Sequence, residues 1–304
     1  MNALTPVGWT DYELIDSGDG ERLERWGDRI LVRPDPTALW GRDQACPGWR
    51  DPDARYHRSS SGGGRWEMRR PLPREWTVRY RHLAFRVRPT GFKHMGLFPE
   101  QAANWEWMDR LVRQAGRPVS VLNLFAYTGG ATVAAALAGA QVCHVDAAKG
   151  AVSWARENLV ASGGAGATVR WMTDDAFKFL EREWRRGRRY DGIVMDPPSY
   201  GRGPGGETWK FEKGIPALLA SATRLLSERP LFFLLNAYTT GLSPLAAMQL
   251  LRGAGLERAD GELWAGELAL RDTRRGWLLP CGVVARVAFA GTDSAGNLRI
   301  GHEV

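Results

Sequence analysis

Three observations predict an α/β fold built on a Rossmann-like, mostly parallel seven-stranded sheet, with a small β-rich domain ahead of it. Beyond Gly116, short apolar runs of strand length alternate with segments of helical spacing. Such alternation makes a parallel sheet covered by helices on both faces. The run Val121-Leu122-Asn123-Leu124-Phe125 ends in a glycine pair, Gly129-Gly130, and then becomes Ala-rich. The last two extended runs follow each other without a helix between them, which reads as an antiparallel closing pair.

The strands are expected at 119–125, 141–145, 168–172, 192–195, 231–235, 262–271 and 283–290. Helices are expected at 131–138, 149–161, 176–186, 215–226 and 244–254. A further helix, 100–115, leads into the sheet: Trp105, Met108, Leu111 and Val112 recur at helical spacing and the pattern stops before Gly116. The first ninety residues lack helical periodicity. Alternating runs at 12–16, 22–26 and 29–33 are separated by Ser17-Gly18-Asp19-Gly20 and Gly27-Asp28, which are hairpin signals. The stretch 34–64 reads as irregular, with a helical turn near Ala38–Trp40, and 77–80 and 83–88 as two more strands. The division is therefore a β-rich domain over residues 1–90 and a catalytic domain over 91–304.

Composition narrows the class. Of 304 residues, 44% are hydrophobic, enough for a substantial core, yet no apolar run nears the ~18–20 residues of a membrane span. The N-terminus lacks a basic segment followed by an apolar one, so no signal peptide is expected. Three scattered cysteines, Cys46, Cys143 and Cys281, form no C-x-x-C pair. That suits a reduced, cytoplasmic protein without structural metal. The net charge is +7, and the excess is clustered arginine. Eight arginines run from Arg65 to Arg88 against Glu67 and Glu75, and Arg182, Arg185, Arg186, Arg188 and Arg189 form a second group. Guanidinium groups fork onto phosphate, so the clusters suit RNA; the plainer alternative is a solvated face.

In a doubly wound sheet, ligands sit beyond the carboxyl ends of the strands. Four such ends carry suggestive residues. Ala126-Tyr127-Thr128-Gly129-Gly130 is a tight turn onto a helix N-terminus, able to hold a ligand against backbone or simply to turn. Asp146 ends the next strand, where an acid can accept both hydroxyls of a ribose or cap the following helix. Asp174-Asp175-Ala176-Phe177 opens a helix; Asp175 is the choice for an adenine amino group, with Phe177 against the ring, capping being the alternative. Asp196-Pro197-Pro198-Ser199-Tyr200 fixes an extended backbone whose carbonyls, with the Asp side chain, can receive hydrogen bonds from a base edge. Tyr200 can stack on that base. A rigid strand exit is the competing reading. Gly201-Arg202-Gly203-Pro204-Gly205-Gly206 reads as a flap beside it.

In this order the four elements resemble a class I S-adenosylmethionine-dependent methyltransferase. L-N-L-F-A-Y-T-G-G (122–130), V-D-A-A-K (145–149), D-D-A-F-K-F-L (174–180) and D-P-P-S-Y-G-R-G (196–203) look like the large-subunit ribosomal-RNA cytosine-C5 and guanine-N7 methyltransferases. The segment Gly91–Gln101 resembles the family's lead into the cofactor domain. The resemblance implies S-adenosylmethionine as cofactor. It assigns Phe125, Tyr127 and Gly129, with Ala126 and Thr128, to the methionine moiety, Asp146 and Ala147 to the ribose, and Asp174–Phe177 to the adenine. Asp196 and the proline pair would face the target base, and Phe92, Lys93 and Gln101 would close over the cofactor. The carbon-methylating relatives use a cysteine nucleophile after the fifth strand. Here that place reads Asn236-Ala237-Tyr238-Thr239, and Cys143 and Cys281 read as small core residues. The expectation is N-methylation of structured, ribosomal RNA without a covalent adduct. The alternatives are a protein or small-molecule methyltransferase, or a non-catalytic RNA-binding protein on a vestigial cofactor fold. A nicotinamide dehydrogenase is disfavoured, since G-x-G-x-x-G is absent.

Overall fold

The computed structural model describes residues 3–59, 63–202, 208–258 and 260–289. The N-terminal part carries strands β1 (Ala3–Leu4), β2 (Tyr12–Gly18), β3 (Glu21–Trp26), β4 (Arg29–Pro34), β5 (Ala54–Arg58), β6 (Gly64–Met68), β7 (Trp76–Tyr80) and β8 (Leu83–Val87). Then come α1 (Ala102–Gln114), β9 (Ser120–Leu124), α2 (Gly130–Leu137), β10 (Gln141–Asp146), α3 (Lys149–Ala161), β11 (Val169–Thr173) and α4 (Ala176–Arg185). The remainder is β12 (Gly192–Met195), β13 (Tyr200–Arg202), β14 (Thr208–Lys210), α5 (Phe211–Thr223), β15 (Phe232–Ala237), α6 (Pro244–Gly253), β16 (Gly261–Arg271) and β17 (Leu278–Phe289).

The main sheet runs β1-β16-β17-β15-β12-β9-β10-β11. β17 is its one antiparallel strand; the expected seven strands are all there, and β1 adds an eighth by pairing parallel to β16. Period-two alternation divides the core between the two faces. Val121, Val142, Val194 and Leu234 pack on the side of α1, α2 and β8, while Leu122, Leu124, Val145, Ile193, Met195 and Phe233 pack on the side of α4, α5 and α6. Interior strands β12 and β15 are buried throughout, which is why they read as unbroken apolar runs.

β2 to β6 form a separate five-stranded sheet. Its β5–β6 hairpin falls largely in the stretch expected to be irregular. Strand β5 hides only Ala54 and Tyr56 between Asp, Arg and His, too little apolar pattern to declare itself. The helical turn expected near Ala38 lies instead at Pro47–Trp49, where Pro47 supplies the pre-set φ of a first helical position. Helix α5 starts four residues before the expected Ile215 and carries Pro216 inside its first turns. Strand β17 begins at Leu278, so Cys281 sits within it rather than ahead of it.

The N-terminal sheet is fastened to the β16–β17 turn. Arg275 donates to Asp16 at 2.7 Å, and the backbone N–H groups of Thr273 and Arg274 donate to the carbonyls of Leu14 and Ile15. On the other side, β8 is braced on α3 by Asn158, whose side-chain carbonyl accepts from Arg86 N–H at 2.8 Å.

Candidate active site

The glycine turn departs from ordinary geometry. Phe125 and Tyr127 take φ of +56° and +49°, although neither is glycine, and Gly129 takes +83°. Left-handed backbone at a side-chain-bearing residue costs of order 1–3 kcal/mol and persists only where surroundings impose it. Asp146 does the imposing: its carboxylate accepts from Tyr127 N–H and from Ala148 N–H, each at 2.8 Å. Asn158 holds the Thr128 carbonyl from below at 2.8 Å, and the Thr128 hydroxyl donates to the Gly96 carbonyl. That last bond ties the segment ahead of α1 to the turn.

Beyond the strand ends lies a cavity of about 720 Å³, within the range of small-molecule sites. Asp146, Ala147, Asp175, Ala176 and Phe177 line one side; Asp196, Pro197 and Pro198 line another. Phe125 and Tyr127 lead from it to a narrow inner pocket of about 50 Å³, where Ala126, Thr128 and Gly129 meet Gln101, Asn123, Asn236 and Asp196. Four residues expected at the site line neither space. Phe92 is 63% exposed, and the Lys93 amine is occupied by the Pro34 carbonyl. Asp174 is ion-paired with Arg182 and caps Asp175 N–H. Tyr200 stands 53% exposed on β13. The expected flap extends over 203–206, outside the described residues. Asp175 fills both of its readings: it caps α4 by accepting from Lys178 N–H at 3.0 Å and also borders the cavity.

Sequence reasoning missed His94, Phe98, Trp209 and Tyr238, all lining residues. Tyr238 sits in the segment inspected for a cysteine, where the signal was an aromatic. His94 and Phe98 lie on a loop, and Trp209 on the three-residue strand β14, whose paths no periodicity announces.

The inner wall is a continuous amide network. Gln101 donates to the Tyr238 hydroxyl at 2.8 Å and accepts from Asn104 at 2.9 Å and Asn236 at 3.1 Å. Behind it Glu100 is 2% exposed, and one of its carboxylate oxygens has no hydrogen-bond partner. Burial, with the Glu100 charge adding to it, pushes the Asp196 carboxyl up to about 7. Among the described residues no hydrogen bond reaches that carboxylate. Burial and the neighbouring Arg33 and Lys93 push His94 down to about 4, so its ring is neutral at pH 7. No thiol lines either space, and burial pushes Cys143 up to about 11 and Cys281 well above its ordinary range. No group of His, Cys, Asp and Glu suited to a metal occurs among the described residues.

A family model described as S-adenosylmethionine-dependent methyltransferase matches residues 45–228. The chain belongs to that family. This methyltransferase is 39% identical to the S-adenosylmethionine-dependent methyltransferase from Agrobacterium tumefaciens, whose crystal structure superposes over 95% of this chain and 93% of that one with a TM-score of 0.89. It is 30% identical to ribosomal RNA large subunit methyltransferase K/L of Shewanella frigidimarina over 47% of this chain and 20% of that protein. A putative ribosomal RNA large subunit methyltransferase of Methanocaldococcus jannaschii is likewise 30% identical, over 49% of this chain and 39% of its own. The methyltransferase thus matches only a minor part of the length of these two relatives. The cavity fits the family's cofactor. Each oxygen of Asp146 takes one backbone N–H and keeps lone pairs for a diol, and the apolar Phe177 wall suits an adenine.

Most of the clustered arginines are paired. Arg69, Arg70, Arg79, Arg81, Arg86 and Arg88 face carboxylates, as do Arg182, Arg185 and Arg186. Arg65, Arg74 and Arg188 have no carboxylate partner among the described residues, and Arg189 lies over the Trp184 ring at 4.5 Å. No helix among the described residues is long and apolar enough to cross a membrane.

Proposed function

We propose that this chain methylates a nitrogen of a base in structured RNA, with ribosomal RNA as the leading candidate, and does so without a covalent enzyme intermediate. One observation carries the reading. The Asp196 carboxylate, which burial pushes up and which has no hydrogen-bond partner among the described residues, lies with the Pro197-Pro198 backbone in the same cavity as Asp146, Asp175 and Phe177. S-adenosylmethionine supplies a methyl group already activated by its sulfonium. Asp146 holds the ribose, Asp175 and Phe177 the adenine, and the turn from Phe125 to Gly129 the methionine end. Gln101 takes part through the amide network. What is left for the chain is to hold the acceptor in line and keep water out. Asp196 accepts from an amino group of the base, whose lone pair is thereby aimed at the methyl. The lack of a thiol in the cavity argues against carbon methylation through an adduct.

The names of the curated relatives support an RNA acceptor, and a cytoplasmic site of action goes with it. Residues 1–90 are read as a unit that helps present substrate to the catalytic domain, 91–304. The ion pairing of most clustered arginines favours one second reading, a protein or small-molecule acceptor. Transfer of tritiated methyl to ribosomal RNA from a strain lacking the enzyme decides between them. Label in RNA is the expected result; label confined to protein or to small molecules refutes it. For the cofactor half, Asp146→Ala should weaken S-adenosylmethionine binding at least about tenfold by calorimetry, the loss of two hydrogen bonds to a charged acceptor. Unchanged affinity would remove Asp146 from the ribose.

A further inference from the structure

Tyr200 is the aromatic that the sequence puts on the target base, yet it is 53% exposed on β13 and lines neither space. The return strand carries another. In the β13–β14 register Tyr200 opposes Lys210 and Gly201 opposes Trp209. The indole is fixed from two directions. Its Nε1–H donates to the Pro198 carbonyl at 2.6 Å, and its ring seats on α5 where Gly214 has no side chain. A Cβ at Gly214 would stand 2.1 Å from the ring.

Two phenyl rings face this indole. Phe177 is 5.8 Å away at an interplanar angle of 57°, beside Asp175. Phe125 is 6.5 Å away at 34°, and it also borders the inner pocket with Asp196. A flat ring held between two others needs roughly twice the ~3.4 Å rise of stacked bases. The Phe125–Trp209 spacing is close to that, and this pair is the more nearly parallel. We propose that Trp209 and Phe125 are the two walls of a slot for one flat heteroaromatic ring, the methyl acceptor, and that Trp209 rather than Tyr200 does the stacking. Asp196 and the Pro197-Pro198 backbone lie along its edge, and the Trp209 N–H bond to Pro198 sets the wall and the edge in register. The proposal rests on the reading of the chain as a base methyltransferase and names the residue that selects a flat acceptor.

The test separates the two. Protein saturated with S-adenosylhomocysteine is titrated with 2-aminopurine riboside, whose fluorescence falls when it stacks. Wild type and Trp209→Phe should quench it saturably; Trp209→Ala should bind about tenfold or more weaker, in keeping with the loss of one base–aromatic stack. Tyr200→Ala should match wild type. Affinity for S-adenosylhomocysteine should stay within about threefold in every variant, which also reports folding; where Trp209→Ala unfolds, Trp209→Leu, apolar but not flat, replaces it. The same order should appear in kcat/KM on whichever fraction of a deletion-strain lysate the wild type labels. Equal loss of S-adenosylhomocysteine binding in Trp209→Ala would assign the indole to the adenine and overturn the slot. So would a loss carried by Tyr200→Ala, or a wild type that does not quench saturably. Label in protein with quenching intact would refute the RNA acceptor and leave the slot standing.

Discussion

Asp196 owes its chemistry to position. An aspartate in water loses its proton near 4, whereas burial and the like charge of Glu100 hold this one to about 7. Glu100 and Tyr238 interact electrostatically with it, Arg22, Arg33 and Cys281 do so with Glu100, and His94, Asp146, Asp175 and Lys178 line the same cavity. If the carboxylate must accept from the acceptor's amino group, kcat/KM should rise with pH through about 7 and then level. Glu100→Gln removes a like charge, so the midpoint should move to lower pH; burial, the larger cause, remains and keeps it above the ordinary value. Asp196→Asn should lower kcat/KM on the order of 100-fold and flatten the profile. A wild-type profile that is flat from pH 5.5 to 8.5 would remove Asp196 from that role. The stability sign is opposite to that of a salt-bridged acid. The folded pKa is raised, so folding is penalised increasingly as pH climbs from about 4 to 7, and Asp196→Asn should gain stability over wild type across that window.

At the scale of elements, the turn after β9 is the most constrained piece of backbone near the site. Gly129 combines φ of +83° with a Cβ position 2.7 Å from the Ala155 Cβ on α3. Gly116 has a similar φ, +62°, but nothing within 4 Å. Gly116→Ala should therefore cost only the left-handed penalty, about 1–2 kcal/mol by urea denaturation. Gly129→Ala should cost more, of order 3 kcal/mol, because α3 must also move, and it should weaken cofactor binding. Equal costs would mean that α3 yields freely. This turn was legible in the sequence because its constraint is local: apolar strand, glycine pair, Ala-rich helix. Asp146 was legible for the same reason, though its bracing of Tyr127 was not. Strands β13 and β14 were not legible. They are three residues each, and what they do is bring Trp209 back over Pro198, a relation between residues 11 apart that neither periodicity nor motif records. Tyr200 was chosen because it stands two residues past the proline pair; in the hairpin it is Trp209 that lines the cavity.

At the scale of the whole molecule, the mostly parallel sheet and its antiparallel last strand followed from the alternation of elements, whereas the behaviour of the arginines did not. Composition counts charges but cannot say which are already answered. In the 65–88 cluster six of eight face carboxylates, and a guanidinium already paired with an acid is a poorer phosphate ligand until that pair opens. Among the described residues Arg65 and Arg74 are the exceptions. If RNA is the acceptor, the electrostatic part of its binding should run through these two and through Arg188. Each phosphate contact releases counterions, so each one lost should lower the slope of log K against log salt by about 0.7–0.9. Arg65→Ala with Arg74→Ala should flatten the slope by about twice that amount and leave cofactor affinity alone. Arg69→Ala with Arg79→Ala, equal in charge removed, should flatten it less. Equal slopes for the two double variants would show that the RNA senses net charge alone and that the ion pairs open on binding. A slope near zero in the wild type would go further, since a protein that neutralises no phosphates is not gripping a nucleic acid, and the acceptor would then be sought among proteins and small molecules.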